Sequence, residues 1–395
     1  PSTAVVTSAP VDGPVVITAT AEGQTATSSI DIVTFVRMSS GSNFSCGLTA
    51  DGSAYCWGEN TSGQLGDGTT ISRGTPARVA TETRFSAIAS GTSHSCGIAL
   101  NGFAHCWGLN TAGQIGNATT SNSLIPARVS GGHAFVSIAP ASQSTCATTD
   151  TAEVYCWGRI PSTDPYGSLL PRIMPEPVQI GSGMVAVVAS ANSEYCSVDS
   201  AGLAYCWTLQ YYYPFSGPVV PPIREPVSTN LHFTTVRVAA NHACGLVQSG
   251  HAYCWGSQIF GQLGDGGGAA TNQSTPYPVV GGLVFESLAV GSVAHSDIGG
   301  QMGGFTCGVT VGGKAYCWGS NYYAQLGSGP YNNGSVNSPQ PVAGGINFTG
   351  LRAGADHVCG LAVGGAAYCW GDNSRGELGS TPSGPSYGPI YVFGK

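Results

Sequence analysis

Charged residues are scarce in this 395-residue chain. Asp, Glu, Lys and Arg make up 8% of it, against about 25% in an average soluble domain. With 13 basic residues, 20 acidic residues and a net charge of −7, the sequence has no basic stripe to which nucleic acid could bind. It also has no run of 18 apolar residues, which excludes a membrane-spanning helix. We therefore expect no nucleic acid partner and no membrane insertion.

Helical periodicity, an initiator Met and a signal peptide are missing as well. No segment has a helical pattern of useful length, so the expected fold class is all-β. A chain that starts at Pro1 without a leader is expected to be a processed or partial product. Gly, Ser, Thr and Asn provide solubility in place of charge, which supports an extracellular location.

Cysteine and tryptophan occur in one recurring arrangement, seven times over. Each first Cys is followed ten positions later by a second Cys and then at once by a Trp. The pairs are Cys46 and Cys56, Cys96 and Cys106, Cys146 and Cys156, Cys196 and Cys206, Cys244 and Cys254, Cys307 and Cys317, and Cys359 and Cys369. These use all 14 cysteines, and the seven Trp that follow are the only ones in the chain. A period of about 50 residues indicates a repeat architecture.

The segment between the paired cysteines has the pattern of a β-hairpin. Cys46-Gly-Leu and Ala54-Tyr-Cys-Trp are short β-prone runs, and Asp51-Gly52 is a turn signal. A loop centred on residue 51 puts the two cysteines directly opposite, about 4.5–5.5 Å apart at Cα, which a disulfide spans. We therefore expect seven disulfides, one in each hairpin. Seven disulfides are unusual in a reducing cytosol, which indicates a secreted or periplasmic protein.

Two further β-prone runs complete each repeat. One ends in small residues and precedes a hairpin, for example Phe85–Gly91; the other is led by Pro, for example Pro76–Val79. Four short strands per repeat define a β-propeller blade, with the small residues on the crowded inner strand. Proline suits the outer edge strand, where its missing N–H costs no ladder bond. The sequence predicts a seven-bladed β-propeller of four-stranded blades over residues 33–395.

Three motifs recur around the cysteine pairs. Gly91–Ile98 has the form Gly-x-x-His-x-Cys-Gly, Tyr55–Asn60 has the form Tyr-x-Trp-Gly-x-Asn, and Gly63–Gly66 reads Gly-Gln-Leu-Gly. These motifs resemble the regulator of chromosome condensation repeat family, which implies a seven-bladed propeller. The disulfide-bearing version is similar to extracellular bacterial members. Repeats three and four depart from the pattern, because they have Pro- and Tyr-rich loops at Arg159–Pro177 and Thr208–Pro226 in place of Gly-Gln-Leu-Gly.

Residues 1–32 do not fit the repeat and are predicted to form a separate β extension. Val15–Thr20 and Thr25–Ile32 flank Glu22-Gly23 and alternate apolar with small polar residues, as half-buried strands do. They resemble the last two strands of a bacterial immunoglobulin-like domain. Two strands alone are marginal in water, so another surface is expected to cover them. That surface is the chain's own propeller, a neighbouring molecule reached by strand addition, or an upstream domain.

Catalytic and metal-binding groups do not recur with the repeat. His94, His242 and His357 precede hairpin cysteines in three repeats only, and we expect them to make structural hydrogen bonds to a neighbouring blade. Each hairpin offers two cysteines, whereas a structural zinc ion needs four ligands. Asp67 and Asp265 each supply one carboxylate, whereas calcium takes six or more oxygens. We expect no enzymatic activity, no cofactor and no metal site.

The Gly-Gln-Leu-Gly loops are expected to be structural turns. No Lys-Ser/Thr pair and no helix follows them, as would be required of a phosphate-binding loop. The turns are predicted to pack an aliphatic side chain beneath the blade: Leu65, Ile115, Leu263 and Leu378.

Two kinds of function remain. The first is a non-enzymatic structural or adhesive protein, extracellular or at the cell surface. Such a protein would form a surface fibre from copies of itself, joined through the N-terminal strands at Val15, Ile17, Ile30 and Ile32.

The alternative is a monomeric secreted propeller that binds a protein or glycan through the irregular loops of blades three and four. Tyr211, Tyr212, Tyr213 and Phe215 crowd the blade-four loop. Aromatic residues are enriched at the cores of interfaces, so these four residues are predicted to contact a protein partner.

Overall fold

A computed structural model of the protein describes most of the chain. The described residues are 13–21, 24–163, 169–189, 194–208, 226–228, 230–267, 272–292, 303–329 and 334–392. Within residues 13–32, 161–163 and 169–172, and at Pro175 and Thr208, the description is limited to the backbone. All regular secondary structure in these ranges is β, which confirms the all-β class.

Twenty-nine strands are found in the described residues. An N-terminal hairpin contains β1 (Gly13–Ala21) and β2 (Gln24–Ile32). Blade one contains β3 (Arg37–Ser40), β4 (Phe44–Leu48), β5 (Ala54–Gly58) and β6 (Arg73–Arg78). Blade two contains β7 (Phe85–Ser90), β8 (His94–Ala99), β9 (Ala104–Gly108) and β10 (Ser123–Arg128). Blade three contains β11 (Ser137–Pro140), β12 (Ser144–Thr148), β13 (Glu153–Thr163) and β14 (Leu169–Ser182).

The remaining four blades follow in chain order. Blade four contains β15 (Met184–Ala189), β16 (Glu194–Asp199) and β17 (Ala204–Thr208). Blade five contains β18 (Phe233–Val238), β19 (His242–Val247), β20 (Ala252–Gly256) and β21 (Gln273–Pro278). Blade six contains β22 (Phe285–Ser292), β23 (Gly304–Thr310), β24 (Ala315–Gly319) and β25 (Val336–Pro341). Blade seven contains β26 (Phe348–Ala353), β27 (His357–Ala362), β28 (Ala367–Gly371) and β29 (Ser386–Tyr391).

The blades form a closed ring, which confirms the predicted seven-bladed propeller. Within each blade the strands are antiparallel and adjacent in chain order, and six blades have four strands. Blade four has three strands in its described part. The inner strands β3, β7, β11, β15, β18, β22 and β26 contact one another in turn, and β26 returns to β3.

The expected loop at Arg159–Pro177 is different in the structure. Most of it belongs to the long hairpin of β13 and β14, whose register pairs Arg159 with Ile173 and Thr163 with Leu169. Blade three is therefore longer than its neighbours at its outer edge. The prolines in this stretch indicate a loop when the sequence is considered alone. They are compatible with a strand here because β14 lies at the edge of its sheet, where proline is tolerated.

Each hairpin has the predicted register, with the two cysteines directly opposite. Cys46 pairs with Cys56 at a Cα separation of 4.1 Å, and a disulfide joins them. The other six pairs are also bonded, at Cα separations of 4.0–4.1 Å. Gly47 follows the first Cys because the ring of Phe35 lies where a side chain would be; a Cβ on Gly47 would be 2.5 Å from it.

The hydrophobic core lies between blades and not within any one of them. Between blades one and two, for example, Leu48 and Leu65 pack with Phe85 and Trp107. Each ring of this layer is buried, and Phe85 lies 5.9 Å from Trp107 between ring centroids. A single blade would leave this apolar face in water, which is why the repeats need their neighbours.

Candidate functional site

Five of the seven joints between blades share one polar contact, a hydrogen bond from a Trp indole to a loop carbonyl oxygen of the preceding blade. Between blades one and two, the carbonyl oxygen of Gln64 accepts hydrogen bonds from Trp107 Nε1 at 3.0 Å and Ser95 Oγ at 2.9 Å. The indole donors of the other four closed joints act on the same loop position of the preceding blade: Trp157 on Gln114, Trp318 on Gln262, Trp370 on Gln325 and Trp57 on Glu377. Sequence reasoning missed this role, although the one-to-one match of seven Trp to seven repeats was the signal for it.

The Gly-Gln-Leu-Gly loop is shaped to reach the next blade. Asn60 Oδ1 accepts the N–H of Leu65 at 2.9 Å, and Gln64 Oε1 accepts the N–H of Ser62 at 2.9 Å. Gly66 has a φ of +68°, and a Cβ there would be 2.6 Å from the indole nitrogen of Trp107. The prediction that these loops are structural turns is confirmed, since their aliphatic side chains are fully buried: Leu65, Ile115, Leu263 and Leu378.

The three hairpin histidines donate to neighbouring blades, as predicted. His94 Nε2 lies 2.8 Å from Thr145 Oγ1, which itself donates to the Gln114 carbonyl oxygen at 2.8 Å. The hydroxyl therefore accepts from His94 Nε2–H, and the imidazole is neutral. Burial lowers the pKa of His94 to about 3. His242 bonds Thr306 and His357 bonds Ser45 in the same way.

The joint between blades three and four is different, because repeat three lacks the Gly-Gln-Leu-Gly loop. Tyr195 occupies the position of Ser95, and its hydroxyl reaches Ser144 Oγ at 2.8 Å. Its ring stacks on Trp207 at 6.0 Å between centroids, with an angle of 16° between the planes. Trp207 Nε1 is buried and has no hydrogen-bond partner within the described part of the chain. The bulk of Tyr195 replaces the missing loop but not its carbonyl oxygen.

The joint between blades four and five contains a recess. Ala243, like Val358 in blade seven, has no hydroxyl at the position that Ser95 occupies in blade two. Most of the loop that precedes blade five, residues 209–225, lies outside the described residues. A cavity of about 330 Å³ is lined here by Glu194, Trp207, Asn241, His242, Ala243 and Trp255. Cys206 is exposed to it, while both cysteines of each of the other six disulfides are buried.

Glu194 gives the recess its chemistry. It takes the position of His94 and His357 in the hairpin, and burial raises its pKa to about 7. Glu194 lines the same cavity as Trp207 and Trp255, and a carboxyl group at such a site can pair with a basic group of a ligand. This arrangement suits binding; sequence reasoning missed it because Glu194 has no counterpart in the other repeats.

The residues predicted to bind a partner are placed only in part. Tyr211, Tyr212, Tyr213 and Phe215 lie outside the described residues. The backbone of the N-terminal hairpin is described, and its register sets Val15 opposite Ile30 and Ile32 opposite Gly13, with Ile17 opposite Ser28.

The described residues contain no group of three or more His, Cys, Asp or Glu side chains that could hold a metal ion. Asp67 is engaged locally: it accepts the N–H of Thr69 at 3.0 Å and pairs with Arg73 at 3.0 Å. Asp265 accepts the N–H of Gly267 at 2.9 Å. No helix capable of crossing a membrane is found in the part of the chain that the structure describes.

Comparison with known proteins supports the repeat assignment. The sequence model of the regulator of chromosome condensation (RCC1) repeat matches residues 51–98, 101–148 and 312–361, and a second RCC1 repeat model matches 35–64, 85–114 and 348–377. These segments are RCC1 repeats, and together they cover residues 35–148 and 312–377. The matched segments lie in blades one and two, in the first half of blade three, and in blades six and seven.

Several proteins with RCC1 repeats are similar to this chain. The RCC1 domain-containing protein RUG3, mitochondrial, of Arabidopsis thaliana is 28% identical over 161 residues, which cover 40% of this chain and 35% of RUG3. The human E3 ubiquitin-protein ligase HERC2 is 30% identical over 182 residues, 42% of this chain and 4% of HERC2. The chain thus spans about a third of RUG3 and a small part of HERC2.

Among solved structures, yeast RCC1 (Prp20) bound to Kap60 has the same fold. It is superimposed with a TM-score of 0.71 at 18% identity, covering 91% of this chain and 85% of Prp20. At that identity the likeness concerns the propeller alone.

Proposed function

We propose that this protein is a non-enzymatic, secreted binding propeller that recognises another protein through blades three and four. The observation that carries the proposal is the recess at the joint between blades four and five, in a ring where five joints are closed by the Gln-loop contact. Other proteins with this fold bind proteins, as Prp20 does with Kap60. The seven disulfides support the extracellular location.

The long hairpin of blade three adds an apolar edge to this side of the ring. Ile173 is 50% exposed and Val178 is 36% exposed. Exposed apolar area is typical of a protein-binding surface, because its burial contributes about 25 cal/mol per Å² to association.

The recess suits a basic side chain from the partner. The faces of Trp207 and Trp255 attract a cation, and the Glu194 carboxylate pairs with it. A cation bound there stabilises the ionised carboxylate, so binding should lower the pKa of Glu194 from about 7 towards its usual value.

Selection from a random peptide display library on the intact protein tests the proposal. We expect enriched peptides to contain Lys or Arg and to bind Glu194→Gln at least tenfold more weakly. The exposed Glu82, far from the recess in sequence and on the blade-one side, provides the matched control Glu82→Gln, which should bind like the wild type. Peptides that bind Glu194→Gln and Trp255→Ala as tightly as the wild type would refute the recess as the site.

A specific observation also favours assembly through the N-terminus as a second function. In the described residues β1 and β2 pair only with each other, which leaves a backbone edge on each strand for another chain. Val15, Ile17, Ile30 and Ile32 would then be covered by a neighbouring molecule, giving a fibre if the contact does not close into a ring. Deletion of residues 1–32 should abolish assemblies seen by negative-stain microscopy and leave a folded propeller. Assembly that survives the deletion would remove this candidate.

A further inference from the structure

Two arginines occupy equivalent positions on inner strands around the propeller axis. Arg237 on β18 pairs with Cys244, and Arg352 on β26 pairs with Cys359. The five other blades have small or aliphatic residues opposite the first Cys: Ser39, Ala89, Ala139, Val188 and Ala289. Arg37 lies two residues before that position on β3, the inner strand next to β26. Three of the 13 basic residues thus lie on inner strands around the propeller axis.

The three guanidinium groups are close enough to affect one another. Burial within the ring and then the charge of Arg352 lower the pKa of Arg237 to about 10. Arg352 keeps an exposed side chain, and its pKa is lowered by crowding from the surrounding strands and then by the charge of Arg37. Like charges held together inside a ring are unfavourable unless a counter-ion accompanies them.

Their protein partners are neutral. Arg237 Nη1 donates to Thr235 Oγ1 at 3.0 Å and to the Val236 carbonyl oxygen at 2.9 Å. Arg352 Nη1 donates to the Leu351 carbonyl oxygen at 2.7 Å. The ion pairs that join described residues lie elsewhere, between Arg73 and Asp67 and between Arg84 and Asp51.

The axial channel offers further hydrogen-bond donors next to these arginines. A cavity of about 80 Å³ is lined by the ends of the inner strands and the turns that follow, including Val238 and Ala353, the residues directly after Arg237 and Arg352. Ser90 and Thr92 line the same cavity, and their hydroxyl oxygens are buried with no hydrogen-bond partner in the described residues. Buried hydroxyls of this kind are normally satisfied by a bound group or by water.

We propose that the axial channel binds a small tetrahedral oxyanion of the phosphate or sulfate class. The guanidinium groups of Arg37, Arg237 and Arg352 supply the charge, and their planar N–H groups suit such oxygens. Ser90 and Thr92 add neutral donors at the adjoining cavity. This positive site is local, since the chain as a whole has a net charge of −7. The site lies apart from the recess and does not depend on the proposed function.

Inorganic phosphate is the probe for this site. Binding to wild-type protein is measured by titration calorimetry and by the rise in melting temperature, against sodium chloride of equal ionic strength. Phosphate stabilises most proteins by exclusion from their surface. The informative quantity is therefore the rise in melting temperature of the wild type minus that of the double variant Arg237→Gln/Arg352→Gln. We expect that double variant to bind phosphate at least tenfold more weakly. Arg128→Gln, on the outer strand of blade two where Arg128 stacks on Phe103, should bind like the wild type.

Loss of folding cannot imitate this result. Removing two like charges should leave the double variant at least as stable as the wild type in chloride alone, as measured by circular dichroism. Competition with sulfate and with citrate separates a tetrahedral oxyanion from a general preference for multivalent anions. Equal phosphate affinity in the wild type and the double variant, or no measurable heat with the wild type, would overturn the proposal.

Discussion

Trp57 and Glu377 are 320 residues apart in the chain, yet the indole Nε1 of Trp57 donates to the backbone oxygen of Glu377 at 3.0 Å. This hydrogen bond closes the ring between blade seven and blade one. No strand is exchanged at that joint, since β3–β6 and β26–β29 are each formed by consecutive strands. The contact is the same as at the four other closed joints, so the first and last blades meet like any other pair.

Substitution of Trp57 by Phe should destabilise the protein. The buried carbonyl oxygen of Glu377 then keeps one side-chain donor, Ser45 Oγ at 3.3 Å. We expect the free energy of unfolding to fall by about 1–2 kcal/mol. Trp207→Phe removes the same volume, but the N–H that it removes has no partner in the described residues. It should therefore lower the free energy of unfolding by less. Urea denaturation of both variants measures the difference, and equal losses would contradict the role of the indole bond.

Substitution of Glu377 by Gln should stabilise the protein relative to the wild type, and this difference should grow as the pH rises. Glu377 stands in the Gln position of its loop, and burial raises its pKa to about 8. The unfolded chain loses this proton near pH 4.5 while the folded protein keeps it until about pH 8. Wild-type stability therefore declines across that interval.

The expected gain for Glu377→Gln is on the order of 4 kcal/mol at pH 8 and close to zero at pH 4. The Gln side chain still accepts the N–H of Arg375, as the carboxylate does at 2.7 Å. The reverse change in blade one, Gln64→Glu, is the matched control and should create the same pH-dependent loss. Thermal melts from pH 4 to 8 measure both; a gain that is independent of pH would contradict burial of the carboxyl as its cause.

The buried histidines should make the fold sensitive to acid. Burial lowers the pKa of His94 and His242 to about 3 and that of His357 to about 4. Because the unfolded chain takes up these protons below about pH 6.5, stability is complete above that pH and falls as the pH approaches the folded values. Each histidine contributes a slope of about 1.4 kcal/mol per pH unit.

His94→Gln should reduce this slope between pH 6 and pH 4, whatever its effect at pH 7. His251 is exposed on the hairpin of blade five, so His251→Gln should leave the slope unchanged. Chemical denaturation at a series of pH values provides the slopes. An unaltered slope in His94→Gln would show that His94 does not remain neutral in the folded protein.

The disulfide of blade four should be reduced before the others. Cys206 is exposed at the recess, while both cysteines of the blade-two disulfide, Cys96 and Cys106, are buried. A thiolate can therefore attack Cys206 without unfolding the protein. Brief reduction under native conditions, alkylation and peptide mapping should label Cys196 and Cys206 first. Equal labelling of Cys96 and Cys106 at early times would contradict this order.

The sequence predicts most of the fold because each blade is encoded locally. The ten-residue spacing of Cys46 and Cys56 sets a hairpin register, and repetition of that spacing extends one hairpin to seven. The bonds of His94, His242 and His357 to neighbouring blades could be predicted as well, since position in the repeat decides what each side chain faces.

Features that depend on several blades at once could not be predicted. The recess is lined by residues of two repeats, Glu194 and Trp207 from blade four and Ala243 and Trp255 from blade five, and no local sequence pattern joins the two. Arg237 and Arg352 share the pattern Phe-Thr-x-x-Arg, but Arg37 lies outside that pattern in repeat one. Only the closed ring places the three inner strands around one axis. The strand character of Arg159–Pro177 was concealed by prolines that an edge strand accepts.

Each blade is formed by consecutive strands from one stretch of the chain, and this affects how the chain folds. Each cysteine has its correct partner ten residues away, so oxidation requires no search among distant thiols, and short loops close quickly. Contacts between consecutive blades span about 50 residues, as between Trp107 and Gln64. The contacts that span most of the chain are those between blades seven and one, such as Trp57 with Glu377 and Ser45 with His357. Folding can thus advance blade by blade as the chain is made, and the slow step is the final meeting of the two ends of the ring.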